Sequence, residues 1–287
     1  AAFKRLLPGK RAVEIGPGPE LILSRLALEA GATHIYAIEL LEATYHKARA
    51  RLKQLNLEDR ITLIHGDAIQ TTLPETVDYC ISEIVGSIGG SEGAAVIINN
   101  ARRFLTNASH MIPQRSVTRI AAITLEENQF DYAFSEIPAR YVQNIFDQQG
   151  YTFDLRLCLK NLPVEQVISS HDIFEDLDYT QPITLETEHR ICLDFHQAGQ
   201  FTGFLVWLTL NTDEYNTVDI LSEPNSWLPI YLPLFIEGQT VAPGDQLVAT
   251  IRRTLCANRF NPDYEINGKL LRQGHAPLAI HYHSYHN

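Results

Sequence analysis

The chain has 287 residues, 45% of them hydrophobic and 20% charged, which is enough apolar material for one large domain or two ordinary ones. A formal net charge of -11 argues against nucleic acid as the main partner, because phosphate binding needs clustered Lys and Arg, and it suits a basic ligand instead. The longest apolar runs, such as Phe204 to Leu210, fall far short of the roughly 20 residues of a membrane helix, so no membrane partner is expected. Ala1 to Gly16 shows no signal-peptide apolar region. Cys80, Cys158, Cys192 and Cys256 are widely spaced without a C-x-x-C pair, which speaks for a reduced, cytoplasmic chain without a metal site.

Arg11 to Gly16 reads as a buried strand. Pro19 to Ala32 follows with helical spacing of Leu21, Leu23, Leu26 and Leu28 and a glycine near its end. His34 to Leu40 is the next strand, and Glu42 to Asn56 a polar-faced helix rich in Arg and Lys. Ile61 to Asp67 and Val77 to Glu83 are two more strands, and Ser91 to Leu105 is a helix. Strand and helix alternating at this spacing predict parallel βαβ units.

After Pro113 the pattern changes to strands separated by turn residues. These are Ser116 to Leu125, His189 to Phe195, Thr202 to Asn211, Leu228 to Phe235 and Asp245 to Arg253. Gln129 to Asp154, polar and aromatic, reads as a helical insertion. The expected class is α/β. A Rossmann-like open parallel sheet over residues 1–112 precedes an antiparallel β-barrel or sandwich over residues 113–287, with the insertion at about 129–154. Alternating His281, His283 and His286 near the C-terminus read as solvent-facing residues of a strand.

The strand ends of the first half carry the chemistry. Gly16 and Gly18 lie between the first strand and its helix, where glycine lets backbone approach a ligand and the helix N-terminus favours negative groups. Glu39 ends the second strand, placed to hold two ribose hydroxyls, and Asp67 with Ala68 follows the third. The order fits two nucleoside cofactors, a nicotinamide dinucleotide or S-adenosylmethionine. The dinucleotide fingerprint needs a third glycine, and Pro19, Glu20 and Leu21 stand there instead. A pyrophosphate would also meet Glu14 and Glu20, whereas a sulfonium with an ammonium tolerates acids.

Glu83 and Glu92 flank a run of small residues in "SEIVGSIGGSE", Ser82 to Glu92. Taken without its neighbours, the pair fits a surface acid and an acid at a helix start. With its neighbours, the loop resembles the double-E loop of the protein arginine methyltransferases in position and in its nine-residue spacing. "VEIGPGPE" looks like the first motif of that family, one residue longer, and "AGATHIYAIE" is similar to its second strand. "VDYCISE" leads into the loop as in the family, and "HMIPQRS" is like its crossing into the barrel. "NSWLPIYLPLFIEGQTVAPGDQL" resembles the late barrel segment that returns to the active site. The resemblance runs from about Arg11 to about Arg253.

It implies methyl transfer from S-adenosylmethionine to a guanidine or amine nitrogen of a basic protein, peptide or small molecule. Glu14, Gly16, Gly18, Glu39, Asp67 and Ala68 would hold the cofactor. Glu83 and Glu92 would be catalytic, gripping a planar guanidinium by paired charge-assisted hydrogen bonds and drawing its charge toward the gripped nitrogens. Trp227 and Ser226 would line the substrate pocket. Gln129 to Asp154 would be a dimerisation arm with Phe130, Tyr132, Phe134, Tyr141, Ile145 and Phe146 on its apolar face, giving a head-to-tail homodimer.

Three departures bear on these expectations. No family-like aromatic helical lid precedes Arg11, Ser226 stands where the family has histidine, and Ile84, Ser87, Gly89, Gly90 and Ser91 replace bulky loop aromatics. A wider pocket is expected, which keeps open a small-molecule or peptide N- or O-methyltransferase, or a non-catalytic module of the same fold.

Overall fold

The computed structural model describes residues 1–125, 144, 145, 147, 148, 157–222, 226–235 and 237–284. The expected arm, Gln129 to Asp154, falls almost wholly outside the described residues, as do Asn225 and His286. The chain divides into two compact units. The first comprises Ala1–Val117, Asp176–Thr184 and Thr209–Glu223, and the second Thr118–Glu175, Leu185–Leu208 and Pro224–Asn287.

The first unit is built on a parallel sheet of β1 (Arg11–Ile15), β2 (His34–Glu39), β3 (Ile61–His65), β4 (Tyr79–Ser82) and β5 (Met111–Ile112), in the order β3-β2-β1-β4-β5. Nearly every residue of β1 and β2 is buried, as expected of strands covered on both faces. The helices are α1 (Ala2–Leu6), α2 (Ile22–Glu29), α3 (Glu42–Gln54) and α4 (Ala94–Ala101). Leu7, Leu21, Ala27, Ile35, Ile61 and Ile81 form the core between sheet and helices. Register sets the function of this sheet: Ile15 lies opposite both Ile38 and Ser82, and Glu39 opposite His65. The residues that follow, Gly16, Glu39, Gly66 and Glu83, therefore share one edge.

Several elements are shorter than their sequence patterns. α2 starts at Ile22 rather than Pro19, because Leu21 adopts a left-handed conformation with φ 51°. α4 starts at Ala94 rather than Ser91, because Gly93 has φ 80°, which a helix interior does not accommodate. Its expected last turn, Arg102–Phe104, is a 3-10 turn.

α1 has no counterpart among the expected elements. Arg5 fastens it, bonding Asp213 at 3.1 Å and Glu214 at 2.9 Å and lying 4.6 Å over the Tyr215 ring. Burial alone would raise the pKa of Asp213. Hydrogen bonds from Asn216, the Tyr215 amide and Arg5 outweigh it and hold the group at about 2.

The remaining strands form antiparallel sheets. They are β6 (Arg115–Ile123), β7 (Leu157–Cys158), β8 (Val167–Asp178), β9 (Thr187–Asp194), β10 (Gly199–Phe201), β11 (Gly203–Asn211), β12 (Thr217–Asp219), β13 (Ile230–Pro233), β14 (Gln239–Val241), β15 (Gln246–Leu255), β16 (Pro262–Leu271) and β17 (Leu278–Ser284). One sheet runs β7-β13-β11-β6-β8 with β12 on β11, a second runs β17-β16-β15-β9, and β10 pairs with β14. β8 and β16, and the short strands β7, β10, β12 and β14, are additions to the strands read from sequence.

A buried ion pair braces the second unit. Glu175 accepts from Arg253 at 2.9 Å and from the Tyr264 hydroxyl at 2.8 Å. Arg253 also donates to the Leu185 carbonyl at 3.1 Å. Such a pair tolerates burial because both charges are hydrogen-bonded. His281 is exposed on β17 and contacts Asn267 at 2.7 Å. Among the described residues no helix is long and apolar enough to cross a membrane.

Candidate functional site

Four strand ends meet at the carboxyl edge of the parallel sheet. At the first, the chain leaves β1 through Gly16 and Gly18, both left-handed at φ 70° and 64°, a conformation that costs little only for glycine. An added Cβ on Gly18 would meet nothing within 4 Å, so the space above the turn is open.

Glu14 lies just below and is 1% exposed. It accepts a hydrogen bond from the Ser24 hydroxyl of α2. Burial pushes its pKa up to about 7, the bonds from Ser24 work against that rise, and the charge of Glu39 adds to it. The Cys80 thiol of β4 is pushed up to about 12 by burial and by Glu14, which leaves it unreactive as a nucleophile.

Glu39 closes β2 with its carboxylate 2.9 Å from the Leu41 amide. At the end of β3 the Gly66 amide bonds the Glu39 carbonyl at 3.0 Å, which ties the second and third strand ends together. Asp67 then folds back on its own turn and accepts from the Ile69 amide at 2.8 Å. Arg103, just beyond α4, grips that turn. Its Nη2 lies 2.8 Å from each of the Ala68, Ile69 and Thr71 carbonyls, and its Nη1 lies 2.7 Å from the Asn100 carbonyl.

The fourth end is the loop from Glu83 to Gly93. Val85, Ile88, Gly89, Gly90 and Ser91 are buried, so the loop is packed, while Glu83 and Glu92 are exposed. The loop reaches the glycine turn: a Cβ on Gly16 would stand 3.7 Å from the Ile84 side chain. Gly86 lets it close on itself, since a Cβ there would stand 2.6 Å from the Ser91 hydroxyl and 3.4 Å from a Glu92 carboxylate oxygen. Glu83 faces solvent as a residue, yet the loop desolvates its carboxylate. That desolvation, with the nearby charge of Glu92, raises its pKa above the ordinary carboxylate range.

The structure thus gathers Glu14, Gly16, Gly18, Glu39, Asp67, Ala68, Glu83 and Glu92 at one sheet edge in the first unit. Trp227, half-buried, and Ser226, exposed, belong to the second unit and precede β13. Ser24 and Arg103 are additions to the residues read from sequence. Ser24 carried one signal, a polar residue on the buried side of an apolar helix.

Comparison with known proteins adds independent findings. Residues 16–112 match the family model described as PRMT5 arginine-N-methyltransferase. The chain is 28% identical over 302 residues to the probable histone-arginine methyltransferase 1.3 of Arabidopsis thaliana, covering 91% of this chain and 54% of the relative. It is 38% identical over 106 residues to the probable histone-arginine methyltransferase CARM1 of Oryza sativa, covering 37% of this chain and 20% of the relative. To protein arginine N-methyltransferase 6 of Xenopus tropicalis it is 24% identical over 93% of this chain and 83% of the relative. It thus spans only about half, or less, of the first relatives named.

Two solved structures share the fold. Protein arginine methyltransferase 10 of Arabidopsis thaliana superposes with a TM-score of 0.77 at 20% identity, covering 99% of this chain and 93% of that one. The Trypanosoma brucei PRMT1 enzyme-prozyme complex with AdoHcy gives 0.78 at 18%, covering 99% and 92%.

Proposed function

We propose, from the premise that this chain is a relative of the protein arginine N-methyltransferases, that it transfers a methyl group from S-adenosylmethionine to a guanidinium nitrogen of a protein or peptide arginine. The observation that carries the reading is the coupled pair Glu83 and Glu92, exposed on a packed loop that touches the Gly16 turn.

The residues at the sheet edge fit the cofactor. Gly16 and Gly18 leave backbone and open space where an amino-acid moiety would lie, Glu39 offers a carboxylate for ribose hydroxyls, and the Asp67–Ala68 turn offers polar groups for the base. When bound, S-adenosylmethionine supplies an electrophilic methyl on sulfur. Glu14 adds negative charge beneath the turn, and an ammonium arriving there favours its ionised form.

Glu83 and Glu92 hold the guanidinium. The charge of Glu92 adds to the cost of ionising Glu83, and a cation between the two would remove it. Carboxylates bonded to two nitrogens would draw positive charge toward those nitrogens and leave the third the better nucleophile for the methyl that the bound cofactor would supply, its proton passing to water. Fixing donor and acceptor in line supplies most of the rate, worth roughly 7–11 kcal/mol in favourable cases.

Finer parts of the reading follow. A homodimer is supported by exposed apolar residues, Ile22 and Leu26 of α2 and Leu40 and Leu41 after β2, which are 56%, 45%, 61% and 62% exposed. The antiparallel sheets are read as a barrel domain over residues 113–287, after a cofactor domain over 1–112. A cytoplasmic location is supported by four free cysteines. A small guanidine as acceptor is a second reading, favoured by the small residues Gly89, Gly90 and Ser91 in the loop.

The test is transfer of labelled methyl from S-adenosylmethionine to arginine-containing peptides and to free guanidines. Label on arginine supports the reading. Cofactor binding by calorimetry without transfer to any guanidine would overturn it.

A further inference from the structure

The outer strand of the parallel sheet carries features that methyl transfer does not use. β3 ends the strand order and, among the described residues, pairs only with β2. The Ile35 amide bonds the Arg60 carbonyl, and the Gly66 amide bonds the Glu39 carbonyl. These bonds turn the even-numbered positions of the strand toward β2. The N–H and C=O groups of Leu63 and His65 therefore face the open side. The Ile61 amide is taken by the Leu57 carbonyl, so the open stretch begins after it.

Soluble proteins usually protect such an edge with charge, proline or a bulge. β3 reads Ile-Thr-Leu-Ile-His and has none of these. Beside it, between α3 and the strand, lies a cavity of about 320 Å³. It is lined by Tyr45, Leu52 and Leu63 and by the charged residues Arg49, Lys53 and Glu58. Tyr45 is fixed by stacking on His65, with ring centroids 4.9 Å apart. Arg49 and Lys53 are exposed and form no ion pair among the described residues, with Glu58 or with any other acid. Two such cations facing one cavity stand out in a chain of net charge -11.

We propose that this edge is a docking site for an extended acidic segment of a partner protein, which adds a strand beside β3. Side chains of an added strand alternate between faces, so those two apart point the same way. The recognised pattern is then acid-x-apolar-x-acid. The apolar side chain fills the cavity between Tyr45, Leu52 and Leu63, and the acids reach Arg49 and Lys53. Backbone pairing with Leu63 and His65 supplies affinity and the alternate side chains supply specificity. A second copy of this chain is a poor occupant, because pairing β3 with β3 brings the same cations together.

The probe is a peptide labelled at its N-terminus, fluoresceinyl-Asp-Thr-Phe-Thr-Asp-amide, titrated with the protein and followed by anisotropy. A version with Lys for Asp is the control. The expected result is salt-sensitive binding of the acidic peptide, at least about tenfold tighter than the basic one, lost in the double variant Arg49→Glu, Lys53→Glu. Amide exchange at Leu63 and His65 is expected to slow on binding. These substitutions lie on an exposed helix face, and an unchanged thermal unfolding midpoint shows that the variant is folded. No binding at millimolar peptide would overturn the proposal. So would binding that survives the charge reversal, or that leaves exchange at Leu63 and His65 unchanged. The outcome does not depend on the methyltransferase reading.

Discussion

Two acid-bearing regions of the first unit handle charge in opposite ways. At the glycine turn, Glu14 is buried and already bonded to Ser24, Glu39 caps the Leu41 amide, and Asp67 is folded onto its own turn under Arg103. In the loop that follows β4, Glu83 and Glu92 are exposed, and desolvation with the charge of Glu92 raises the pKa of Glu83. The first region has its polar partners in place before any ligand arrives. The second has its backbone packed and its two acids exposed. Exposed acids on a packed loop suit the cation site proposed above, and acids already bonded suit the proposed cofactor turn.

The contrast breaks most visibly at Glu83. Glu83→Gln keeps the shape and removes the charge, so turnover is expected to fall about a thousandfold, while S-adenosylhomocysteine binding by calorimetry stays within about twofold. Equal losses in both would place Glu83 with the cofactor group instead.

Next in size is the pH dependence of stability. The folded pKa of Glu14 is about 7 against an ordinary 4.5, so the folded state binds the proton more tightly than the unfolded one. Its contribution is fully present below about pH 4.5 and is lost as pH rises through about 7, a change on the order of 3 kcal/mol. Denaturant unfolding across that window should show stability falling with pH in the native chain and a flatter profile in Glu14→Gln. An unchanged profile would mean that Glu14 ionises as an ordinary acid does.

A smaller effect is expected at Arg103. Arg103→Ala frees the carbonyls of Ala68, Ile69 and Thr71, and the dissociation constant of S-adenosylhomocysteine should rise about tenfold, with kcat at saturating cofactor little changed. A fall in kcat alone would show that the clamp serves the acid loop rather than the turn.

Smallest is Gly18→Ala. Nothing within 4 Å obstructs the methyl, but φ 64° is left-handed, so thermal unfolding should report a loss of about 1 kcal/mol.

Much of the first unit was legible in the sequence because its signals are local. Buried strands ending in glycine or an acid mark the edge of a parallel sheet, and Gly16, Gly18, Glu39 and Asp67 each end or follow such a strand. Glu83 and Glu92 were legible as a spaced pair, but the small residues between them read as opening a wider pocket, and their close packing was not foreseen.

What stayed hidden depends on partners distant in sequence. Glu14 reads as a cofactor acid, yet its carboxylate is bonded to Ser24, ten residues on. Arg103 reads as a helix-end cation, yet it closes a turn more than thirty residues earlier. α1 is too short for periodicity to reveal, and tertiary contacts through Arg5 hold it. β8 escaped notice because its polar residues, such as Ser169 and Glu175, are buried against partners that local patterning does not show.

The central claim is that Glu83 and Glu92 wait for a guanidinium. The direct measurement is the pH titration of the Glu83 carboxyl carbon by NMR, with selectively labelled protein, first alone and then with S-adenosylhomocysteine and an arginine-containing peptide. The predicted result is a pKa above the ordinary carboxylate range in the free protein that drops below it when the peptide binds, with no drop for a citrulline peptide. A Glu83 pKa that stays put when the arginine peptide binds would contradict the claim.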